Sequence, residues 1–262
     1  MQIDGWVDGV LILWTTAENP TLTNKEWIEL VEFAVNILKN KTKIMVNVWN
    51  YSTKASLENI KEFDKIDGID AYLVVNPYYN KPTQTGLIKH FTTVANSTEK
   101  NIILYNIQWR TAVNLETESL LQILKETKNV IWVKEASWNF EQMKEVIVKT
   151  PDDFLVFSWD DGLTFDLINA WWDWVISVAS NIYPKMIKWF VDTCFDNKEE
   201  AYDLNNIYRE LFSKLFIQAN PLPTKTYLAS NWIIEEEFRL PMCRMDEKER
   251  KIFLDFIADF ED

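Results

Sequence analysis

Lys134 is the residue whose placement could do chemistry most directly. It closes an apolar run, Val130-Ile131-Trp132-Val133, that reads as a buried strand. A lysine drawn out of water loses basicity, and its neutral amine can add to a carbonyl carbon to form a Schiff base. The competing reading is an ion pair with Glu135 or Glu118. Tyr105 ends another such run, Asn101-Ile102-Ile103-Leu104. Its phenol could shuttle protons to a lysine-bound substrate, or it could be a core tyrosine with a wet hydroxyl. Thr15 and Thr16 follow the run 8–14 and could donate to a carboxylate or cap the next turn. Arg110 could grip a carboxylate through two parallel hydrogen bonds, or lie on the surface without a partner. Tyr78-Tyr79, Ser158 and Ser177 stand at further run ends. Asp160-Asp161 suggests a metal, but no other hard ligands cluster nearby, so the pair reads as turn or cap residues. His90 is the single histidine, which rules out a His-rich metal site, and beside Lys89 it is expected to face solvent.

These positions matter because of the elements that carry them. Candidate strands lie at 8–14, 43–48, 70–75, 101–105, 130–134, 154–158 and 174–178. Helix-like stretches fall between them near 24–39, 54–65, 85–97, 116–126, 139–148 and 162–170. Near-continuous apolar strands alternating with helices indicate a parallel sheet covered on its faces. Seven strands are one short of the eight of a (β/α)₈ TIM barrel, whose active sites gather at the C-terminal strand ends. The expected architecture is therefore an α/β barrel lacking its first strand, over residues 1–182. An open doubly wound sheet competes, but no Gly-rich dinucleotide loop follows an early strand. Residues 183–262 are expected to supply the last barrel helix and a helical extension, with helices at 184–195, 198–218 and 246–260 and a Pro-rich turn at 220–223.

Composition narrows the class. The net charge of −13 argues against nucleic acid or an anionic membrane as partner. Two cysteines suit a reducing compartment. No signal peptide and no run of about 18 apolar residues is seen, so a soluble cytoplasmic protein is expected. Five glycines and 13 tryptophans depart furthest from ordinary usage, since about 18 glycines are expected for this length.

Taken in order, the run ends resemble those of dihydrodipicolinate synthase, in the pyruvate-dependent class I aldolase superfamily. The matching segments are TTAENPTLT (15–23), VVNPYYNKPTQTGLIKHF (74–91), ILYNIQWRTAVNLETE (103–118), VKEAS (133–137), SWDDGLT (158–164), VISVASNIYPK (175–185) and NPLPTK (220–225). The similarity covers essentially the whole chain. The missing strand would be the family's first, upstream of Met1. The resemblance implies that Lys134 forms a Schiff base with pyruvate and that Tyr105 is the general acid/base. Thr15 would link Tyr105 to Tyr79, a residue that in the family reaches into a neighbouring subunit, which implies a homotetramer built from dimers. Thr16 and the backbone of Ile176 would hold the pyruvate carboxylate, and Arg110 that of aspartate 4-semialdehyde. No metal or organic cofactor is implied. A sister aldolase acting on N-acetylneuraminate or 2-keto-3-deoxygluconate is the alternative, as is a catalytically inactive member. A tryptophan-lined carbohydrate platform would need its tryptophans on one face, and their spacing scatters them.

The chain departs from the family chiefly at glycine. Trp6, Trp14, Trp49, Trp109, Trp132, Trp138, Trp159, Trp171, Trp172, Trp174 and Trp232 stand where the family has glycine, whereas Trp27 and Trp189 fall in helices without that expectation. One replacement recurring at so many glycine positions suggests a gene that uses UGA for glycine, translated as tryptophan; TGG codons there would end the idea. Trp14 and Trp159 are expected to crowd the pyruvate pocket. Ala17 and Ala112 also replace family glycines, and Gln108 a proline. Asn24, Trp27 and Ala55 replace the His, His and Glu of lysine-inhibited members, so weak feedback by lysine is expected.

Overall fold

In a computed structural model, residues 1–158, 160–170 and 172–261 are described. The seven expected runs become seven parallel strands: β1 (Gly9–Ile12), β2 (Lys43–Asn47), β3 (Ala71–Val75), β4 (Asn101–Asn106), β5 (Val130–Glu135), β6 (Leu155–Ser158) and β7 (Trp174–Val175). They pair in chain order, so the curled sheet is a half-barrel with β1 and β7 at its edges. β7 is shorter than the expected 174–178. Beyond it only the Ile176 N–H continues the ladder, donating to the Ser158 carbonyl at 3.0 Å.

The connecting helices are α1 (Asn24–Leu38), α2 (Thr53–Phe63), α3 (Gln84–Ala95), α4 (Gln108–Thr111), α5 (Thr117–Glu126), α6 (Phe140–Lys149) and α7 (Thr164–Asn169). After the sheet come α8 (Pro184–Asp196), α9 (Lys198–Lys214), α10 (Leu222–Ser230) and α11 (Glu247–Glu261). Their starts follow capping chemistry. Thr23 accepts from the Glu26 N–H while the Glu26 carboxylate accepts from the Thr23 N–H, a reciprocal box that fixes the first turn of α1. α10 is a correction to the Pro-rich turn expected at 220–223. Pro221 caps the helix and Pro223 lies in its first turn, where a missing N–H costs nothing.

Three apolar clusters follow from strand alternation. Val46, Tyr72, Leu104 and Val133 pack outward against the helices. Leu73, Val75, Ile103 and Tyr105 fill the concave face with Trp14, Trp49 and Trp132. Phe190, Leu211 and Phe253 centre a third cluster among the C-terminal helices. His90 corrects the solvent-facing expectation: it is buried, with Nδ1 2.9 Å from Thr53 Oγ1. Burial pushes its pKa down to about 4.

Candidate active site

Register places the two central residues side by side. Tyr105 on β4 pairs with Lys134 on β5, and Asn106 with Glu135. Both strands are apolar up to these positions, so the polar ends emerge at the C-terminal rim of the sheet, where parallel barrels carry their chemistry. Lys134 is 2% exposed. No carboxylate forms an ion pair with it among the described residues, and Glu118 instead bridges to Lys149. Desolvation pushes the lysine pKa down to about 7, opposed by the Asp161 carboxylate and reinforced by the Arg110 charge. Close to neutrality a large fraction of the amine is therefore uncharged and nucleophilic. Burial pushes the Tyr105 phenol well above its usual value, so it stays protonated.

Asp161, Asp160 and a network around Glu135 fix this corner. The sequence marked Asp160-Asp161 as turn or cap residues and Glu135 as a candidate partner of Lys134, but not the roles of Asn76, Asn106 and Gln142. Asp161 is buried and accepts from the N–H groups of Val178 and Ala179, each at 2.9 Å, which ties the loop after β7 beneath the site. Burial raises its pKa to about 6. Asp160 caps the turn by accepting from the Gly162 N–H at 2.8 Å, as expected of a cap residue. Glu135 turns away from Lys134 into a buried polar network. It accepts from the Ser137 N–H at 2.7 Å and from Asn106 Nδ2 at 3.0 Å. Asn106 Oδ1 in turn accepts from Asn76 Nδ2 and from the Leu115 N–H. Gln142 closes the set by donating to the Leu115 carbonyl at 3.1 Å. The network thus clamps both sides of the loop that carries Arg110.

The remaining expected residues fall at different distances from the amine. Arg110 is exposed, and its guanidinium lies 4.4 Å from the Trp109 ring centroid. Thr15 opens a 3₁₀ turn, Thr15–Ala17. Thr16 Oγ1 accepts from Asn220 Nδ2 at 3.0 Å. The Ile176 N–H is engaged by Ser158. Tyr79 stands apart, 91% exposed with φ 74°. No hydrogen bond joins the side chains of Thr15, Tyr105 and Tyr79 among the described residues.

Trp14 sits where the sequence expected crowding. Its ring centroid is 4.5 Å from Lys134 Nζ and 4.7 Å from the Tyr105 ring. Trp159 lies outside the described residues. Beside Trp14 opens a cavity of about 920 Å³. Val10 and Leu11 of β1, Val175 of β7, Trp132, Ile187 of α8 and Trp14 itself are among its walls, and Lys134 is not. The space therefore lies between the two sheet edges, and Trp14 touches both this space and the amine.

A parallel α/β sheet with an unpaired buried lysine at a strand's C-terminal end and a protonated phenol beside it defines a lyase of the class I aldolase type. The chain belongs to the dihydrodipicolinate synthetase family, whose profile it matches over residues 1–259. It is 38% identical over 245 residues to a 4-hydroxy-tetrahydrodipicolinate synthase from Hydrogenobaculum, covering 93% of this chain and 84% of that one. The structure superimposes on that of the 4-hydroxy-tetrahydrodipicolinate synthase of Methylacidiphilum fumariolicum SolV with a TM-score of 0.96 and 33% identity, over 99% of this chain and 87% of that one. It superimposes equally broadly on a monomeric dihydrodipicolinate synthase variant, with a TM-score of 0.95 and 34% identity, over 99% of this chain and 88% of that one.

Proposed function

We propose that this protein condenses pyruvate with L-aspartate 4-semialdehyde to give 4-hydroxy-tetrahydrodipicolinate, on the path to lysine and diaminopimelate. The observation that carries the reading is Lys134: a buried amine without an ion-pair partner, beside a protonated phenol. The neutral amine adds to the ketone carbon of pyruvate, and the carbonyl oxygen takes protons through Tyr105 and leaves as water. The protonated imine then gives up a methyl proton to become an enamine, whose carbon adds to the aldehyde of the second substrate. That substrate's own amine displaces Lys134 and closes the ring, freeing the lysine. A dry, preorganised corner favours each proton move. Arg110, whose charge already acts on Lys134 and Tyr105, is assigned to the second carboxylate. Thr16 and the Ile176 backbone, both beside the recess that Trp14 borders, are assigned to the pyruvate carboxylate.

Two architectural readings accompany this one. The seam between β1 and β7 is the place for an eighth strand that closes the barrel, and α8–α11 form the helical extension. Exposed Tyr79 suits a subunit contact, and we assign it to a Thr15–Tyr79 relay in a homotetramer. The place of action is the cytoplasm; no described helix is long and apolar enough to cross a membrane. The test supplies pyruvate with aspartate 4-semialdehyde, and separately N-acetylneuraminate and 2-keto-3-deoxygluconate, to the chain as written and to a form with glycine at the eleven positions. Pyruvate consumption that requires the semialdehyde and is lost in Lys134→Met is the expected result. Pyruvate release from either sugar acid alone would assign the chain to a sister aldolase.

A further inference from the structure

The backbone sorts the tryptophans in a way composition cannot. Tryptophan is 13 of 262 residues, yet among the described residues Trp6, Trp138 and Trp232 hold three of the nine left-handed positions filled by residues other than glycine. Of the five true glycines only Gly68 uses such a conformation. A Cβ clashes with the following carbonyl there, and for a bulky side chain the position is an outlier. At Trp232 packing does not explain the choice either. Trp232 is 94% exposed and follows α10, its N–H returning to the Ala229 carbonyl at 3.0 Å, the kind of helix end that glycine ordinarily fills. Trp6 likewise closes a 3₁₀ turn, donating to the Ile3 carbonyl at 3.1 Å.

Position 14 needs glycine for a different reason. Its backbone is extended and unstrained, but its side chain occupies the reaction space. Lys134 Nζ lies 4.5 Å from the Trp14 ring centroid and 4.8 Å from that of Tyr105. Two aromatic faces against one amine leave no room for a three-carbon keto acid to reach it. Without the indole, that side of the amine would be free for substrate. We propose that the working form of this protein has glycine at positions 6, 14, 138 and 232, and that residue 14 decides whether Lys134 can meet its substrate. The second half rests on Lys134 being the Schiff-base amine.

Two measurements separate the parts. Trypsin cuts after lysine and arginine, so segments 1–25, 135–144 and 226–239 carry all four positions. In protein isolated from cells that carry the gene natively, these peptides are expected at the glycine masses. Tryptophan masses at 138 and 232 would overturn the assignment. The second measurement treats the chain as written, Trp14→Gly and the eleven-glycine form with pyruvate and cyanoborohydride. Water leaves as the imine forms, and hydride from the reagent reduces its C=N bond to a stable secondary amine on Lys134. The adduct is expected to rise about tenfold or more in Trp14→Gly, the scale of removing one overpacked aromatic. Equal trapping in the chain as written would overturn the gating role and leave the proposed activity standing. An absence of adduct in every form, with circular dichroism showing each folded, would instead remove Lys134 from the chemistry, while the peptide masses still decide the four residues.

Discussion

Replacing Lys134 by methionine keeps the length of the side chain and removes its charge, so it isolates the energetic cost of burying an amine. The folded-state pKa is about 7 against an ordinary value of 10.5. Below pH 7 both the folded and the unfolded chain carry the proton, and the full cost of burying the ammonium weighs on the native state. Between pH 7 and 10.5 the unfolded state holds more protons, so stability rises with pH across that window. At about 1.4 kcal/mol per pH unit the whole displacement corresponds to roughly 5 kcal/mol. The remaining penalty is about 4 kcal/mol at pH 7, about 2 at pH 9 and below about 1 at pH 10. Urea unfolding of the parent and Lys134→Met, followed by fluorescence at these three pH values, reads the difference directly. Other titrating groups cancel between the two proteins, and Asp161, with its pKa raised to about 6, completes its titration below the window. The parent should gain on the variant by roughly 3 kcal/mol from pH 7 to 10. A difference that stays flat with pH would refute the claim that Lys134 is buried as a depressed amine.

Trp232→Gly is expected to stabilise the protein by about 1 kcal/mol or more relative to Trp232→Ala, since both remove the exposed indole and only glycine relieves the left-handed strain; thermal melts of the pair decide it. His90 has a folded pKa of about 4, so the unfolded state takes up its proton first, and stability should fall as pH drops from 6.5 towards 4, by up to roughly 3 kcal/mol. His90→Leu should flatten that part of an acid titration. Asn106→Leu leaves the Glu135 carboxyl short of a donor and should cost about 1–3 kcal/mol. By loosening the Arg110 loop it should raise KM for the semialdehyde more than KM for pyruvate in steady-state kinetics. Whatever slow imine formation remains in the chain as written should speed up as pH rises through about 7. In Trp14→Gly, water reaching Nζ should move that midpoint upward, which a pH series of the trapping reaction would show.

Elements with one dominant signal were legible in the chain. The apolar runs expected at 43–48, 70–75 and 101–105 became the buried strands 43–47, 71–75 and 101–106. The strand-end rule placed Tyr105 and Lys134 among the candidates, with Thr15-Thr16, Tyr78-Tyr79, Ser158 and Ser177. His90 was misread, although Leu87, Phe91 and Val94 at helical spacing outline a buried face that includes it. α10 escaped notice because prolines at its start resemble a turn and its apolar residues favour no one side. The Asn76–Asn106–Glu135–Gln142 network was out of reach for another reason. Its members come from the residue after β3, from β4 and β5, and from α6, so only the paired strands with α6 packed beside them bring the four together. Asp161 likewise acts on Lys134 through space, from the turn after the neighbouring strand β6.

The seam between β1 and β7 bears on how the protein behaves at high concentration. Bare strand edges normally invite a second molecule to pair along them, a common start to precipitation. Here the two edges face one another across a recess walled by Pro184, Ile187 and Val191 of α8. An eighth strand seated in that recess would pair both edges at once and leave no bare edge for a second molecule. Loss of α8 packing should therefore show first as turbidity, before any loss of helical signal.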